Sequence, residues 1–222
     1  MKNKIFALTL LSFSCAMPVY AQDTKALTMD GEFGFIFTTG NTETTSASAG
    51  INATQEFEKW SNVYLLTGLY KKDTVEDTNG EEVEQTSAQK FFASAQGNYK
   101  LENPDHRLFA FASYEDNRLS DFNYQATLAA GWNQKVWENE TSTFDYSVGP
   151  GYSFAETQDG ESQDSVILRA ALNYGLKVSD TSRFTQTFST EIGEDNTKSR
   201  SESALTAQIA GGLSMKLSIR LD

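Results

Sequence analysis

Alternation of apolar and polar residues is the feature that most constrains the fold of this chain. The clearest run places apolar residues at every second position: Phe122, Tyr124, Ala126, Leu128, Ala130 and Trp132. The positions between them are small or polar: Asn123, Gln125, Thr127, Ala129, Gly131 and Asn133. Because successive side chains of a β-strand point to opposite faces, this pattern predicts a strand with one apolar and one polar face.

Eleven runs of this kind follow one another, and no segment of the mature chain has the pattern of a long apolar helix. We predict antiparallel strands at 30–39, 44–57, 61–71, 87–101, 107–116, 121–136, 142–155, 164–178, 182–193, 200–209 and 213–222. Both faces of 62–70 are apolar, so its orientation stays open. The length fits one all-β domain.

The N-terminus has the features of a secretory signal peptide. Lys2 and Lys4 precede an apolar run at 5–13, and Val19 and Ala21 supply the small residues of a cleavage site. A membrane-spanning helix takes about 20 apolar residues, so this run is too short to serve as an anchor. We therefore predict cleavage after Ala21 and export from the cytoplasm.

The prediction divides the chain into a signal peptide at 1–21 and a β-barrel domain at 22–222. Cleavage removes Cys15, the single cysteine, so the mature chain forms no disulfide. The bulky Phe13 argues against a lipid-modified Cys15. The formal net charge of the whole chain is −12, which argues against nucleic acid as a partner.

A soluble β-sandwich also alternates, and three features favour an outer-membrane barrel instead. Aromatic residues stand ten positions apart at the ends of apolar faces, as Phe122 and Trp132 do, and Phe144 and Phe154. Ten tilted strand residues span roughly 23 Å, close to the apolar band of an outer-membrane barrel. The other faces are small and polar, which suits a wet lumen.

The connections supply the third feature. Two long acidic connections, 72–86 and 156–163, lie on the same side of an up-and-down barrel. With the N-terminus in the periplasm that side is the outer surface, where barrels of this class carry their longer loops. The fold prediction is therefore an antiparallel up-and-down outer-membrane β-barrel.

Five segments match a known family in order along the chain: 40–44, 114–119, 149–152, 180–186 and 200–206. Together they resemble the salt-induced outer-membrane protein family, also catalogued as domain of unknown function 481. The resemblance runs from about Gly31 to the last residue and implies an outer-membrane barrel without a settled activity. Family members continue to a final strand with a terminal aromatic residue. Since bacterial single-chain barrels have even strand numbers, we expect about 12 strands in the full form.

The residues give little sign of catalysis. His106 is the single histidine and lies in the turn at 103–106, on the periplasmic side. We interpret it as a solvated turn residue rather than a general base, and predict that the protein is not an enzyme. Without His or Cys clusters there is no zinc site. We assign no catalytic, cofactor or metal residues, with an outer-membrane lipid-modifying enzyme as a remaining alternative.

Two further motifs are interpreted as structural. Acidic residues cluster in one predicted outer loop: Asp73, Glu76, Asp77, Glu81, Glu82 and Glu84. They lack the ordered spacing of a calcium loop, which favours a solvated loop, with binding of divalent cations or a partner as the alternative. The Gly149-Pro150-Gly151 segment predicts a bulge or bend rather than a phosphate loop, because no basic or hydroxyl partner follows.

The predicted inward set is Lys90, Gln96, Asn98, Asn123, Asp145, Arg169, Lys177, Lys216 and Arg220. These side chains either line a narrow solute path or pair with one another and plug the barrel, and we favour the plug. The function we expect is a structural, stress-related or narrow-pore role. The expected partners are outer-membrane lipids and, during assembly, the barrel-insertion machinery.

Overall fold

The computed structural model describes residues 25–38, 44–76, 82–194, 196–210 and 213–221. These residues form eleven strands: β1 Lys25–Thr38, β2 Thr44–Glu56, β3 Trp60–Glu76, β4 Glu82–Lys100, β5 His106–Asn117, β6 Phe122–Glu138, β7 Ser142–Thr157, β8 Ser165–Ser179, β9 Ser182–Ile192, β10 Thr197–Ala210 and β11 Leu213–Leu221. Within the described ranges, no helix is long and apolar enough to cross a membrane.

The strands form one sheet in sequence order, and each strand is antiparallel to its neighbours. The all-β, up-and-down prediction and its eleven strands are therefore confirmed for the described residues. The edge strands β1 and β11 each pair with a single neighbour there. Because both have odd numbers in an antiparallel sheet, they run in the same direction. A twelfth strand remains a prediction.

The strand boundaries differ from the prediction mainly at one hairpin. Strand β3 continues as far as Glu76, and strand β4 already begins at Glu82. Most of the predicted acidic connection 72–86 is therefore strand. Val75 pairs with Val83 in this extension, and β-branched residues favour the paired, extended backbone. Strand β1 also begins at residue 25 rather than 30, where Leu27 and Met29 continue the alternation.

The sheet curls around an interior. Neighbouring strands lie about 4.8 Å apart, so strands five places apart in a flat sheet would be separated by about 24 Å. Yet Glu115 of β5 and Lys198 of β10 approach to 2.7 Å between Oε2 and Nζ. The side chains of opposite walls therefore meet across the interior.

The connections define the two ends of this curled sheet. We call distal the end that carries the connections 39–43, 77–81, 118–121, 158–164 and 193–196, and proximal the opposite end.

The interior is polar and the exterior apolar. The most buried polar residues, each 3–6% exposed, are Ser61, Asn98, Thr127, Asn133, Ser147 and Arg169. Large apolar residues face outward instead, with Phe33 78% exposed and Val166 and Leu217 both 70% exposed. A soluble sandwich would bury its large apolar side chains between two sheets. The single curled sheet therefore contradicts the sandwich alternative.

Phe122 does not lie on the predicted face, and the Gly149-Pro150-Gly151 segment contains no bulge. A register shift lies between Phe122 and Tyr124, which pairs Phe122 with Thr157 and brings its ring to the lining of an interior cavity rather than the outer face. The Gly149-Pro150-Gly151 segment shows no register shift in the pairing of β6 and β7. Its glycines instead permit a close backbone approach, because a Cβ at Gly149 would lie 2.2 Å from the carbonyl oxygen of Ala130.

Candidate functional site

The most connected group in the interior surrounds the carboxylate of Glu115, which is only 7% exposed. Its Oε2 accepts hydrogen bonds from Lys198 Nζ at 2.7 Å and Arg200 Nη2 at 2.8 Å. Lys90 Nζ lies 3.1 Å from Oε1. The three cations come from β4 and β10, so this one carboxylate joins opposite walls of the sheet.

Neighbouring side chains hold these cations in place. Lys198 Nζ also donates to Gln125 Oε1 at 2.8 Å. The guanidinium of Arg200 lies 4.6 Å from the ring centroid of Phe92, a cation–π distance. The charges at this level therefore have fixed positions in the interior.

A second ion pair lies beside the first. Arg169 of β8 is 6% exposed, and its guanidinium carbon stands 3.7 Å from the ring centroid of Phe111. Its Nε lies 3.6 Å from Glu191 Oε1, while Thr127 Oγ1 donates to Glu191 Oε2 at 2.9 Å. Nε and Nη1 of Arg169 have no hydrogen-bond partner among the described residues.

Together these residues form what we call the distal ion network: Lys90, Glu115, Gln125, Thr127, Arg169, Glu191, Lys198 and Arg200. All lie on interior positions in the distal half of their strands. The network links β4, β5, β6, β8, β9 and β10 at one level. A buried charge is costly without a partner of opposite sign. The two carboxylates of the network provide such partners for its cations inside the sheet.

A polar cavity of about 200 Å³ lies at the distal end beside this network. It is lined by Phe122, Gln125, Thr127, Ser153, Ala155, Ser162, Gln163, Asp164, Ser165, Ile167, Glu191, Asn196 and Lys198. The backbone N–H of Ala155 donates to Asp164 Oδ1 at 3.3 Å, which holds that carboxylate over the interior. The cavity therefore has defined polar walls.

A separate charge cluster connects the two edge strands. Glu202 of β10 accepts contacts from Lys216 Nζ at 2.8 Å and Arg220 Nη2 at 2.6 Å. Lys216 Nζ also lies 2.9 Å from Glu32 Oε2 of β1. No ladder pairs β1 with β11 in the described residues, so this ion pair spans the space between the edges.

The structure brings only part of the predicted inward set together. Lys90 and Arg169 belong to the distal ion network, and Lys216 and Arg220 to the edge cluster. Proximal to the network, Asp145 Oδ1 accepts hydrogen bonds from Asn133 at 3.4 Å and Asn173 at 3.0 Å.

The remaining members of that set have local partners. Gln96 Nε2 donates to Asn98 Oδ1 at 2.9 Å, and Lys177 pairs with Asp180 in the next turn. Asn123 Nδ2 donates to Glu156 Oε1 at 3.0 Å.

The sequence interpretation missed four members of the network: Glu115, Glu191, Lys198 and Arg200. Glu191 and Arg200 stand on the polar faces of predicted strands, and that alternation was their signal. Lys198 falls in the connection between the predicted strands 182–193 and 200–209, and Glu115 shares its face with two phenylalanines at 109 and 111. Glu115 also lies in the segment 114–119, one of the five that carry the family resemblance.

The other candidate residues lie apart from the network. His106 begins β5 at the proximal end, and its ring meets Trp132 edge-on at 5.2 Å between centroids. In the β3–β4 extension, hydrogen bonds from Lys71, Ser87 and Thr44 lower the pKa of Asp73 to about 2.

Another member of the acidic cluster also has a basic partner. Glu84 pairs with Lys72 at 2.9 Å, while Asp77 and Glu81 lie outside the described residues. Among the residues that the structure describes, no group of three or more His, Cys, Asp or Glu side chains is arranged to hold a metal ion.

Comparison with known proteins gives one family. No curated protein sequence matches the chain significantly. A solved structure titled "Bacterial polysaccharide outer membrane secretin" is similar over 91% of this chain and 79% of that one, with 12% identity and a TM-score of 0.36, values too low to support an argument. Residues 31–222 match the family described as "Protein of unknown function, DUF481". The chain therefore belongs to the DUF481 family.

Proposed function

We propose that this protein is an outer-membrane β-barrel whose lumen is closed by the distal ion network and whose role is structural. The observation that carries the proposal is the inverted polarity of the sheet. Its outer surface exposes Leu128, Val166, Leu168, Met215 and Leu217, whereas its inner surface buries charged and amide side chains. Contiguous apolar surface of this extent is rare on soluble monomers and matches a lipid environment.

Aromatic residues support the same placement. At the proximal end Trp60 packs on Tyr99 with ring centroids 5.0 Å apart, and Trp137 packs on Phe144 at 4.8 Å. The distal end has the pairs Tyr114–Tyr124 at 6.1 Å and Tyr152–Phe154 at 4.8 Å. Aromatic belts at both boundaries of an apolar band are typical of membrane barrels. Outer-membrane lipids are therefore the partners we propose for this surface.

The N-terminal segment supports export of the protein to that membrane. The basic and apolar features of 1–21 are those of an export signal, and an exported barrel reaches the outer membrane through the barrel-insertion machinery. With the N-terminus in the periplasm, the distal end of the barrel faces the outside of the cell.

The distal ion network supports a structural role over a conducting one. Its contacts cross the interior from β5 to β10 and from β6 to β9, where an open pore would have water. A barrel of about 12 strands is intermediate between barrels filled by side chains and open porins, so its contents decide whether it conducts. Here the contents are paired charges and the aromatic rings of Phe92 and Phe111.

Membrane fractionation followed by an unheated gel tests the placement. We expect the protein in the outer-membrane fraction, with a folded band whose migration changes on heating. Recovery as a soluble protein without detergent would refute the membrane proposal.

Planar-bilayer recordings test the closed lumen. We expect little conductance from the wild type and an increase in Glu115→Gln, because the amide no longer neutralises the three cations. Asp145→Asn removes an interior carboxylate outside the network and serves as the matched control. A wild type that already conducts steadily, or equal effects of the two variants, would contradict the closure.

A further inference from the structure

A groove with a volume of about 380 Å³ lies on the outer face of the sheet, near the distal ends of β1 to β5. Residues paired across a ladder share a face of the sheet, and Phe33, which is 78% exposed, marks the outer one. One row of ladder partners lines the groove: Phe33, Ala49, Gly68, Phe91 and Asp116. The groove is therefore part of the surface that meets lipid in the proposed barrel.

Small residues form the floor of the groove, and aromatic rings form its walls. A Cβ built at Gly68 would meet nothing within 4 Å, so the space above the floor is open. Phe33 and Phe91 stand three strand spacings apart, which separates their backbones by about 14 Å. In the next row toward the distal end, Ala47 extends the floor and its partner Tyr70 extends the wall. A hydrocarbon chain in the groove contacts the floor and the walls, and so gains dispersion contacts that a flat surface does not offer.

The polarity of the surface changes along the groove. On its proximal side the next row consists of the paired residues Ile51 and Leu66, which are 45% and 42% exposed. At the end of β5 the rim is polar, with Gln89, Asp116 and Arg118. The backbone N–H of Arg118 donates to the carbonyl oxygen of Gln89 at 3.0 Å, so the ladder reaches Arg118 and places it on the same face as Asp116. The groove therefore joins an apolar surface to a charged rim, as a lipid joins its chains to its headgroup.

The charged groups of the rim are one cation and one carboxylate. Asp116 and Arg118 are two residues apart on extended backbone, which separates their Cα atoms by about 7 Å. Among the residues that the structure describes, neither side chain has an ion-pair or hydrogen-bond partner. A guanidinium group binds phosphate oxygens, and a carboxylate accepts hydrogen bonds from a primary ammonium group. A phosphate headgroup without an amine would satisfy Arg118 but would be repelled by Asp116. The rim therefore matches a zwitterionic headgroup that contains both a phosphate and a primary amine.

We propose that this groove binds one phospholipid with an amine-bearing headgroup, of the phosphatidylethanolamine class. One acyl chain lies on Ala47, Ala49 and Gly68 between the aromatic walls. The phosphate contacts Arg118, and the ammonium group donates to Asp116. The proposal rests on the membrane placement proposed above and adds to it the class of lipid and the place where it binds.

Native mass spectrometry of the full chain, released from detergent, tests the headgroup site. The probes are phosphatidylethanolamine, phosphatidylglycerol and phosphatidylcholine with identical acyl chains. We expect one phosphatidylethanolamine molecule to be retained in preference to the other two, because phosphatidylglycerol has no ammonium group and the ammonium of phosphatidylcholine has no N–H donor. Arg118→Gln should weaken this retention about five-fold, the contribution of one exposed charge pair. Asp116→Asn should remove the preference over phosphatidylglycerol.

A change in the floor tests the site of the acyl chain. Gly68→Leu fills the groove and should abolish the preferential retention of phosphatidylethanolamine. Ala170→Leu is the matched control, because it enlarges an outward residue of β8 whose ladder partner Val148 is 39% exposed. Arg107→Gln removes an arginine at the proximal end and controls for Arg118→Gln. Both control variants should retain the lipid as the wild type does.

The same samples separate failure of the groove from failure of the membrane placement. Each variant is tested for recovery in the outer-membrane fraction and for heat-modifiable migration, and if Gly68→Leu does not fold, Ala49→Leu replaces it. A wild type that is soluble without detergent would refute both proposals. A wild type in the membrane that retains the three lipids equally, or a folded Gly68→Leu that retains phosphatidylethanolamine fully, would overturn the groove alone. A dimer without bound lipid would also overturn it, since the groove would then be an interface between two copies of the chain.

Discussion

Replacement of Glu115 by glutamine measures how much the distal ion network stabilises the barrel. Glutamine preserves the shape of the side chain and removes its charge, so Lys90, Lys198 and Arg200 lose their shared counter-ion. Breaking a buried ion pair on one side typically costs about 3–5 kcal/mol. The side chains of Lys198 and Arg200 are 31% and 23% exposed, so interior water screens part of the repulsion. We therefore expect the free energy of unfolding to fall by about 2–3 kcal/mol.

Urea unfolding of the folded protein in detergent, followed by tryptophan fluorescence and unheated gels, measures this loss. Glu84→Gln is the matched control, because it breaks an ion pair with Lys72 in which the glutamate is 69% exposed. Exposed pairs contribute about 0–1 kcal/mol, so the control should change little. High salt should weaken the control pair more than the network. Equal losses in Glu84→Gln and Glu115→Gln, or no loss in Glu115→Gln, would refute the reasoning.

Three further predictions concern the sheet. Gly149→Ala should lower the free energy of unfolding by about 1–3 kcal/mol, since its Cβ would meet a backbone carbonyl. A Cβ at Gly68 would meet nothing within 4 Å, so Gly68→Ala should unfold at the wild-type urea midpoint. Leu128→Arg should cost about 2–4 kcal/mol in lipid vesicles if the outer face meets lipid, and Leu128→Val should cost far less; a tolerated arginine would argue against lipid contact. The pair Glu32→Cys and Lys216→Cys should be joined in the folded protein by a cross-linker of about 10 Å, two strand spacings, and a negative result would place the edges farther apart.

The fold could be predicted from the sequence because its main signal is local. In 122–133 and 166–178 every second residue is apolar and most of the residues between are small or polar, and this period predicts strands with two different faces. The order of the strands follows from short connections, which join antiparallel neighbours. Both inferences need only residues that are close in sequence.

The outer faces of β9 and β10 are partly polar. Ser203 pairs with Gln186 across the ladder, and Gln186 Nε2 donates to Ser201 Oγ at 3.0 Å. These groups satisfy one another, so polar residues can stand on an outer face without an unpaired donor.

The candidate site could not be predicted because its contacts depend on curvature. Whether Glu115 meets Lys198 is decided by the tilt and register of the four strands between β5 and β10, and no pattern within one strand records them. The direction of Phe122 depends on a single-residue shift in register, which reverses the side chain without changing the alternation around it. The charged side chains can be recognised as one group only when the curvature of the sheet is known.

The separation of Glu115 from Lys198 along the chain, 83 residues, has a kinetic consequence. Each hairpin of an up-and-down sheet can zip from its own turn, whereas this contact forms only after five further strands are in place. We therefore expect the contact to be absent while the barrier to folding is crossed. Stabilisation that arrives after the barrier slows escape from the native state and leaves the rate of its formation unchanged. We therefore expect the distal ion network to lengthen the lifetime of the assembled barrel by slowing its unfolding, because its contacts form last and must break before the walls separate.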